Sequence, residues 1–219
     1  MGTITRNFAN NLTTSGLLKP TAFNNDSFDN VTAVPSGSVE TGAMQLISSA
    51  TASASASIEF TLGNLKEYKF FFVNIHPSTS LTYFTFQCST DGGSNYNTTM
   101  TTTVFDAYHD EADLYTALEY RSPEDQAQGT AFQKLSPYLV GNENDSSLSG
   151  SLNLFNPSST TYVKHFIANT QEVNSSGSPF SVNAYVSGYF NDTNDLTNIK
   201  FQMSSGNIDA GQILLFGIN

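Results

Sequence analysis

The sequence predicts an all-β protein: an antiparallel β-sandwich over residues 44–219, preceded by an extended arm over residues 1–43. Three observations carry this reading. Apolar residues alternate with polar ones at the two-residue period of strands, as Ile199, Phe201 and Met203 do against Asn198, Lys200 and Gln202. The alternating segments are short, roughly eight to ten in number, with turn formers about every 8 to 15 residues. No internal repeat is visible, which disfavours a propeller or a solenoid.

In the first 43 residues, Phe8, Leu12, Phe23 and Phe28 are scattered without steady period among Asn, Thr and Ser. Such a segment buries too little to fold alone, yet it carries too many aromatics for a pure linker. It reads as an arm anchored by those four residues on a neighbouring surface, or equally as an extra strand or loop wrapped on its own domain.

From Met44 onward strands begin. Residues 51–62 alternate strictly and put Ala52, Ala54, Ala56, Ile58, Phe60 and Leu62 on one face of a strand, with small residues where another element approaches closely. Residues 68–75 are apolar on both sides and predict a central strand. The next strand, residues 82–88, holds Phe84, Phe86 and Cys88 on one face, and Asp91-Gly92-Gly93 after it reads as a hairpin turn. Residues 98–104 are Thr-rich and suit a half-exposed strand.

The span 106–128, rich in acids and alanines, is the one place for a short helix or a long excursion. Strand patterns resume at 131–140, 149–155, 161–168 and 181–190. The stretch 212–218 is apolar on both faces and predicts a well-covered strand around which the others pack. The expected core comprises Phe60, Phe70, Phe72, Phe84, Phe86, Leu152, Leu154, Phe166, Phe201, Ile213 and Leu215.

Composition narrows the function classes. Only 12% of the 219 residues are charged, so solubility rests on Ser, Thr, Asn and Gln, a surface common in extracellular or particle-bound β proteins. The net charge is −11 with 8 Lys and Arg, and without a basic cluster neither nucleic acid nor an anionic membrane is an expected partner. Cys88 is the single cysteine and reads as a buried thiol acting as a small hydrophobe. No signal-peptide core opens the chain and no run reaches membrane-span length, so synthesis in a cytoplasm is expected.

Motifs with chemistry are few. Residues 89–96 match the pattern S-x-D-x-G-x-x-aromatic, in which Asp91 bonds its own backbone in a turn. Asp106, His109, Asp110, Glu111 and Asp113 suggest a calcium loop, but their spacing fits no EF-hand and solvated acids are the plainer reading. His76, His109 and His165 lie far apart, with His165 expected to be a partly covered strand residue. Glu119, Glu124, Asp125, Glu143 and Asp145 offer no selected glycosidase pair. No cofactor, metal site or catalytic residue is expected, and an enzyme such as a depolymerase ranks behind structural and binding roles. Tyr96, Tyr108, Tyr115, Tyr120 and Tyr138 are the candidates for stacking on a sugar, set against an ordinary role covering strand ends or subunit contacts.

The strings STDGGSNYNTTMTTT, AYHDEAD, SLSGSLNLFNPSSTTYVKHF and FQMSSGNIDAGQILLFGI together resemble virion structural proteins, of tail-fibre or capsid-decoration type, of tailed phages infecting marine bacteria. The resemblance spans residues 44–219, and the arm is similar to the Asn/Thr-rich N-termini of such proteins. It implies a jelly-roll-like β-sandwich on the outside of a particle, non-enzymatic, held to capsid or tail proteins by its arm. It also implies a homo-oligomer, a trimer favoured over other states, and as the alternative a module that recognises a host surface glycan.

Overall fold

The structure, a computed structural model, describes residues 44–174 and 179–218. The arm residues Phe8, Leu12, Phe23 and Phe28 lie outside the described residues. Among the described residues twelve strands follow one another: β1 (Gln45–Thr51), β2 (Ile58–Thr61), β3 (Glu67–Pro77), β4 (Phe84–Ser89), β5 (Met100–Asp110), β6 (Thr116–Tyr120), β7 (Gln133–Lys134), β8 (Leu148–Phe155), β9 (Lys164–Asn174), β10 (Phe180–Phe190), β11 (Asn198–Met203) and β12 (Ile208–Ile218). They form two antiparallel sheets, ordered β1-β12-β3-β8-β9-β10-β5-β6 and β2-β11-β4-β7.

Eight of these strands are a single long hairpin rolled up. Its two arms pair first with last, β1 with β12, β2 with β11, β3 with β8 and β4 with β7. The roll closes where β12 pairs with β3 and β11 with β4. This pairing, split over two facing sheets, is the jelly roll. The two excursions, β5–β6 after β4 and β9–β10 after β8, meet each other and widen the larger sheet by four strands.

Every expected core residue is buried. Phe201 lies at the centre, with its ring 5.2 Å from Phe70, 5.3 Å from Phe72, 5.9 Å from Phe84 and 6.3 Å from Phe86. Phe86 continues the cluster to Phe166, at 5.0 Å, and Phe190, at 6.1 Å. Cys88 is fully buried, as its alternation with Phe84 and Phe86 requires.

Several local expectations are corrected. The alternating run 51–62 is not one strand. It ends β1, turns a corner at Ala54 (φ 50°) and begins β2 in the other sheet. Ala54 and Ala56 are exposed there, because the small side chains that kept the alternation also let the backbone bend. Asp91-Gly92-Gly93 is a tight turn, with φ 75° and 86° at the glycines, but β4 and β5 belong to different sheets, so it is no hairpin. The span 106–128 forms no helix. β5 runs on to Asp110, and β6 returns along it. Residues 131–140 contribute only the two residues of β7. β12 is buried on its inner face and half-buried on the outer one, where Phe216 meets the Phe71 ring at 5.5 Å.

Candidate functional site

The larger sheet is twice as wide as the smaller one, so the inner face of its added strands must be covered by something else. Residues 121–147 cover part of it with hydrogen bonds rather than a ladder. Thr102 Oγ1 donates to Gln133 Oε1 at 2.8 Å, and Thr170 Oγ1 donates to the Leu135 carbonyl at 2.6 Å. Gln133 Nε2 donates to the Glu124 carbonyl, and Glu124 is ion-paired to Lys134.

Under this cover sits a cluster of buried acids. Asp106, on β5, is fully buried, and Arg121 Nε approaches its Oδ2 at 3.4 Å. Neither oxygen of Asp106 makes a hydrogen bond to the described residues. Burial pushes its carboxyl up to about 6 against the pull of the Arg121 guanidinium, and Glu119 and Glu124 push the same way. Glu172, on β9, is held well above the carboxylate range by burial, and the Tyr138 backbone N–H donates to it at 3.1 Å. Arg121 also lies over the Tyr138 ring at 4.3 Å and donates to the Tyr138 hydroxyl at 3.2 Å and to Glu119 at 3.3 Å.

Of the five candidate tyrosines, this region brings two together. Tyr108 meets Tyr138 edge to face at 5.6 Å, and Phe180 at the same distance. Tyr120 is exposed on the opposite face of the sheet, its hydroxyl donating to Asp125 at 2.5 Å. Tyr115 is exposed where the chain turns from β5 to β6, its backbone N–H bound to Asp110 Oδ1 at 2.8 Å. Tyr96 lies elsewhere, donating to Glu59 at 2.8 Å with Lys200 over its ring at 4.0 Å. No common sugar platform results from these five.

The acidic span is divided between faces. Asp106 and Asp110 point inward, whereas His109 pairs with Asp113 at 3.0 Å on the outer side. Among the described residues no group of three or more His, Cys, Asp or Glu side chains gathers as a metal site would require. The turn at Asp91 behaves as expected of its pattern: Ser89 Oγ donates to Asp91 at 2.7 Å, the Asn95 N–H at 2.9 Å, and these bonds hold the carboxyl at about 2. At the start of β9 Lys164 is buried, and His165 is exposed rather than partly covered.

A separate cleft of about 510 Å³ opens beside the ends of β3 and β12, lined by Asn74, His76, Asn144, Asp145, Ser146 and Asp209 among others. His76 Nε2 lies 3.2 Å from the Glu143 carbonyl, and its Nδ1 lies 3.8 Å from Asp209. Amides, hydroxyls and two carboxylates around an imidazole can hydrogen-bond a polyhydroxylated or cationic ligand. Sequence reasoning singled out none of this lining except His76 and Asp145, because strands distant in the chain assemble it. It also passed over Glu172, although Phe166, Ala168, Thr170 and Glu172 continue one inward alternation.

No family model and no curated protein matches the sequence. Among the described residues no helix is long and apolar enough to cross a membrane.

Proposed function

We propose that this chain is a non-enzymatic structural component of a tailed-phage particle, exposed on its outside as a tail-associated or capsid-decorating protein and anchored through residues 1–43. The observation that carries the reading is the rolled eight-strand jelly roll with one sheet widened into a broad, weakly charged outer face. Jelly rolls serve viral shells and lectins alike, and a broad neutral face suits packing among many copies better than turnover of a substrate. The low share of charged residues and the resemblance of 44–219 to virion structural proteins support the same reading.

A second reading, recognition of a host glycan, is favoured by the cleft of Asn74, His76, Asp145 and Asp209. An electron-microscopy map of particles carrying the chain, with antibody labelling, tests the first. Label on intact particles, with residues 1–43 seated on a different polypeptide, is expected. Absence from purified particles, or label only after disruption, overturns it. On a glycan array, binding lost in Asp145→Ala together with Asp209→Ala would establish the second reading.

A further inference from the structure

We infer that the outer face of β8, β9, β10, β5 and β6 is where two copies of this chain pack against each other. This goes beyond the particle reading and does not depend on it.

The first observation is electrostatic. Register across these five strands fixes which residues point outward, and none of them is Asp, Glu, Lys or Arg. In a chain of net charge −11 this is a neutral field five strands wide. Charged groups stand only at its rim, where Asp125 accepts from Tyr120, Asp113 pairs with His109, and Glu67 accepts from Asn153. A neutral centre inside a charged rim is the anatomy of a protein interface.

The second observation is what occupies the centre. Tyr185 is the middle residue of β10, itself the middle strand of the five. Its ring stacks on Phe105 at 4.9 Å and 7°, with Tyr120 on the next strand in the same row. Phe105, Tyr185 and Ile167 are 40%, 42% and 55% exposed, and Leu118 is 73% exposed. Scattered exposed apolar side chains are ordinary, but a contiguous group on one sheet face marks an interaction site.

The third observation decides what kind of partner fits. The amides of the face are already committed within the sheet. Asn169 Nδ2 donates to Asn183 Oδ1 at 3.1 Å and to the Ala184 carbonyl at 2.9 Å, Asn183 Nδ2 donates to the Thr170 carbonyl at 3.1 Å, and Gln171 Nε2 donates to Ser181 at 2.9 Å. Polar groups satisfied in this way lose little when water leaves. A sugar needs the reverse, free donors and an open ring face, while here Phe105 and Tyr185 cover one face of each other. A protein surface that brings its own satisfied polar groups fits.

A second copy is the occupant that charge selects. Two chains of −11 repel in most orientations, and an approach through this face sets no carboxylate against another at its centre. Its size is sufficient. Five strands about 4.8 Å apart and up to about 36 Å long cover roughly 800 Å², which is the share each partner gives to a stable interface. A two-fold axis near Tyr185 makes the contact isologous.

The test is sedimentation velocity on the full chain from about 1 to about 100 μM. A concentration-dependent dimer is expected. Tyr185→Lys and Tyr185→Glu should each weaken it about 100-fold or more, with circular dichroism unchanged, since like charges then face each other. An equimolar mixture of the two variants should associate again, which a merely structural role for Tyr185 would not produce. Should the Tyr185 variants misfold, Ile167→Lys and Ile167→Glu, at a more exposed position, carry the same test. A wild-type chain monomeric throughout the range overturns the proposal, as does association indifferent to all of these charges. So does a monomer that binds a neutral glycan and loses it in Tyr185→Lys.

Discussion

The rolled core and the four added strands are made from the same alternating pattern, yet their interiors differ in kind. Between the two sheets of the jelly roll the space is filled by Phe60, Phe70, Phe72, Phe84 and Phe201, each at 5% exposure or less. Along β5 and β9 the inward rows mix apolar residues, Met100, Val104, Phe166 and Ala168, with polar ones, Thr102 and Asp106 on β5 and Lys164, Thr170 and Glu172 on β9, while β10 between them stays apolar at Val182, Ala184, Val186 and Phe190. The reason is coverage. Where the smaller sheet lies opposite, an apolar side chain finds partners on every side. Where only the segment 121–147 lies opposite, its backbone and polar side chains need hydrogen bonds, so the sheet beneath supplies Thr102, Thr170 and Glu172. Stability therefore resides in the roll, and sensitivity to protons in the extension.

The largest effect should come from breaking the roll. Phe201→Ala removes a ring that touches at least five others, at a cost of about 3–5 kcal/mol. For a domain of this size that lowers the melting temperature by roughly 6–20 °C. A drop under about 2 °C in calorimetry would show that the ring cluster is not the stabilising centre.

The extension should respond to pH instead. The folded Asp106 carboxyl titrates near 6, above its usual value, so folding favours its protonated form. Its contribution is then greatest below about pH 4, where the unfolded chain is protonated too, and it declines as pH rises through about 6. Glu172 shifts in the same direction. Asp106→Asn should therefore flatten the melting-temperature profile between pH 4 and 7 and raise the value at pH 7. A wild-type profile that climbs steadily over that window, unchanged by the substitution, would put the proton-sensitive groups elsewhere.

The smallest effect belongs to the rim of the roll. Tyr96→Phe removes a partly exposed hydrogen bond to Glu59 and leaves Lys200 over the ring. A change of at most about 1 kcal/mol, and a melting shift under about 4 °C, is expected. A larger shift would make this contact part of the core rather than of the surface.

Much of the fold was legible in the residues themselves. Alternation identified the inward faces of β4, β8, β10 and β11, because a face packed on the core leaves a period of two wherever the opposite face is polar, while β3 and β12 were legible as covered strands from apolar residues on both faces. The turn at Asp91 was legible because its bonds are local, spanning Ser89 to Asn95. The corner at Ala54 was not, since alternating Ala and Ser satisfies a strand and a bend equally well. Only the tertiary structure decided which strands pair. Register between β5 and β10 is set by side-chain packing across segments some 70 to 90 residues apart, and β10 carries it on to its neighbour β9. That register places Asp106 and Glu172 in neighbouring rows under one cover and gathers the uncharged outward residues of five strands into a single face. Neither exists in any one stretch of sequence, because each is a sum over strands that meet only when the hairpin rolls.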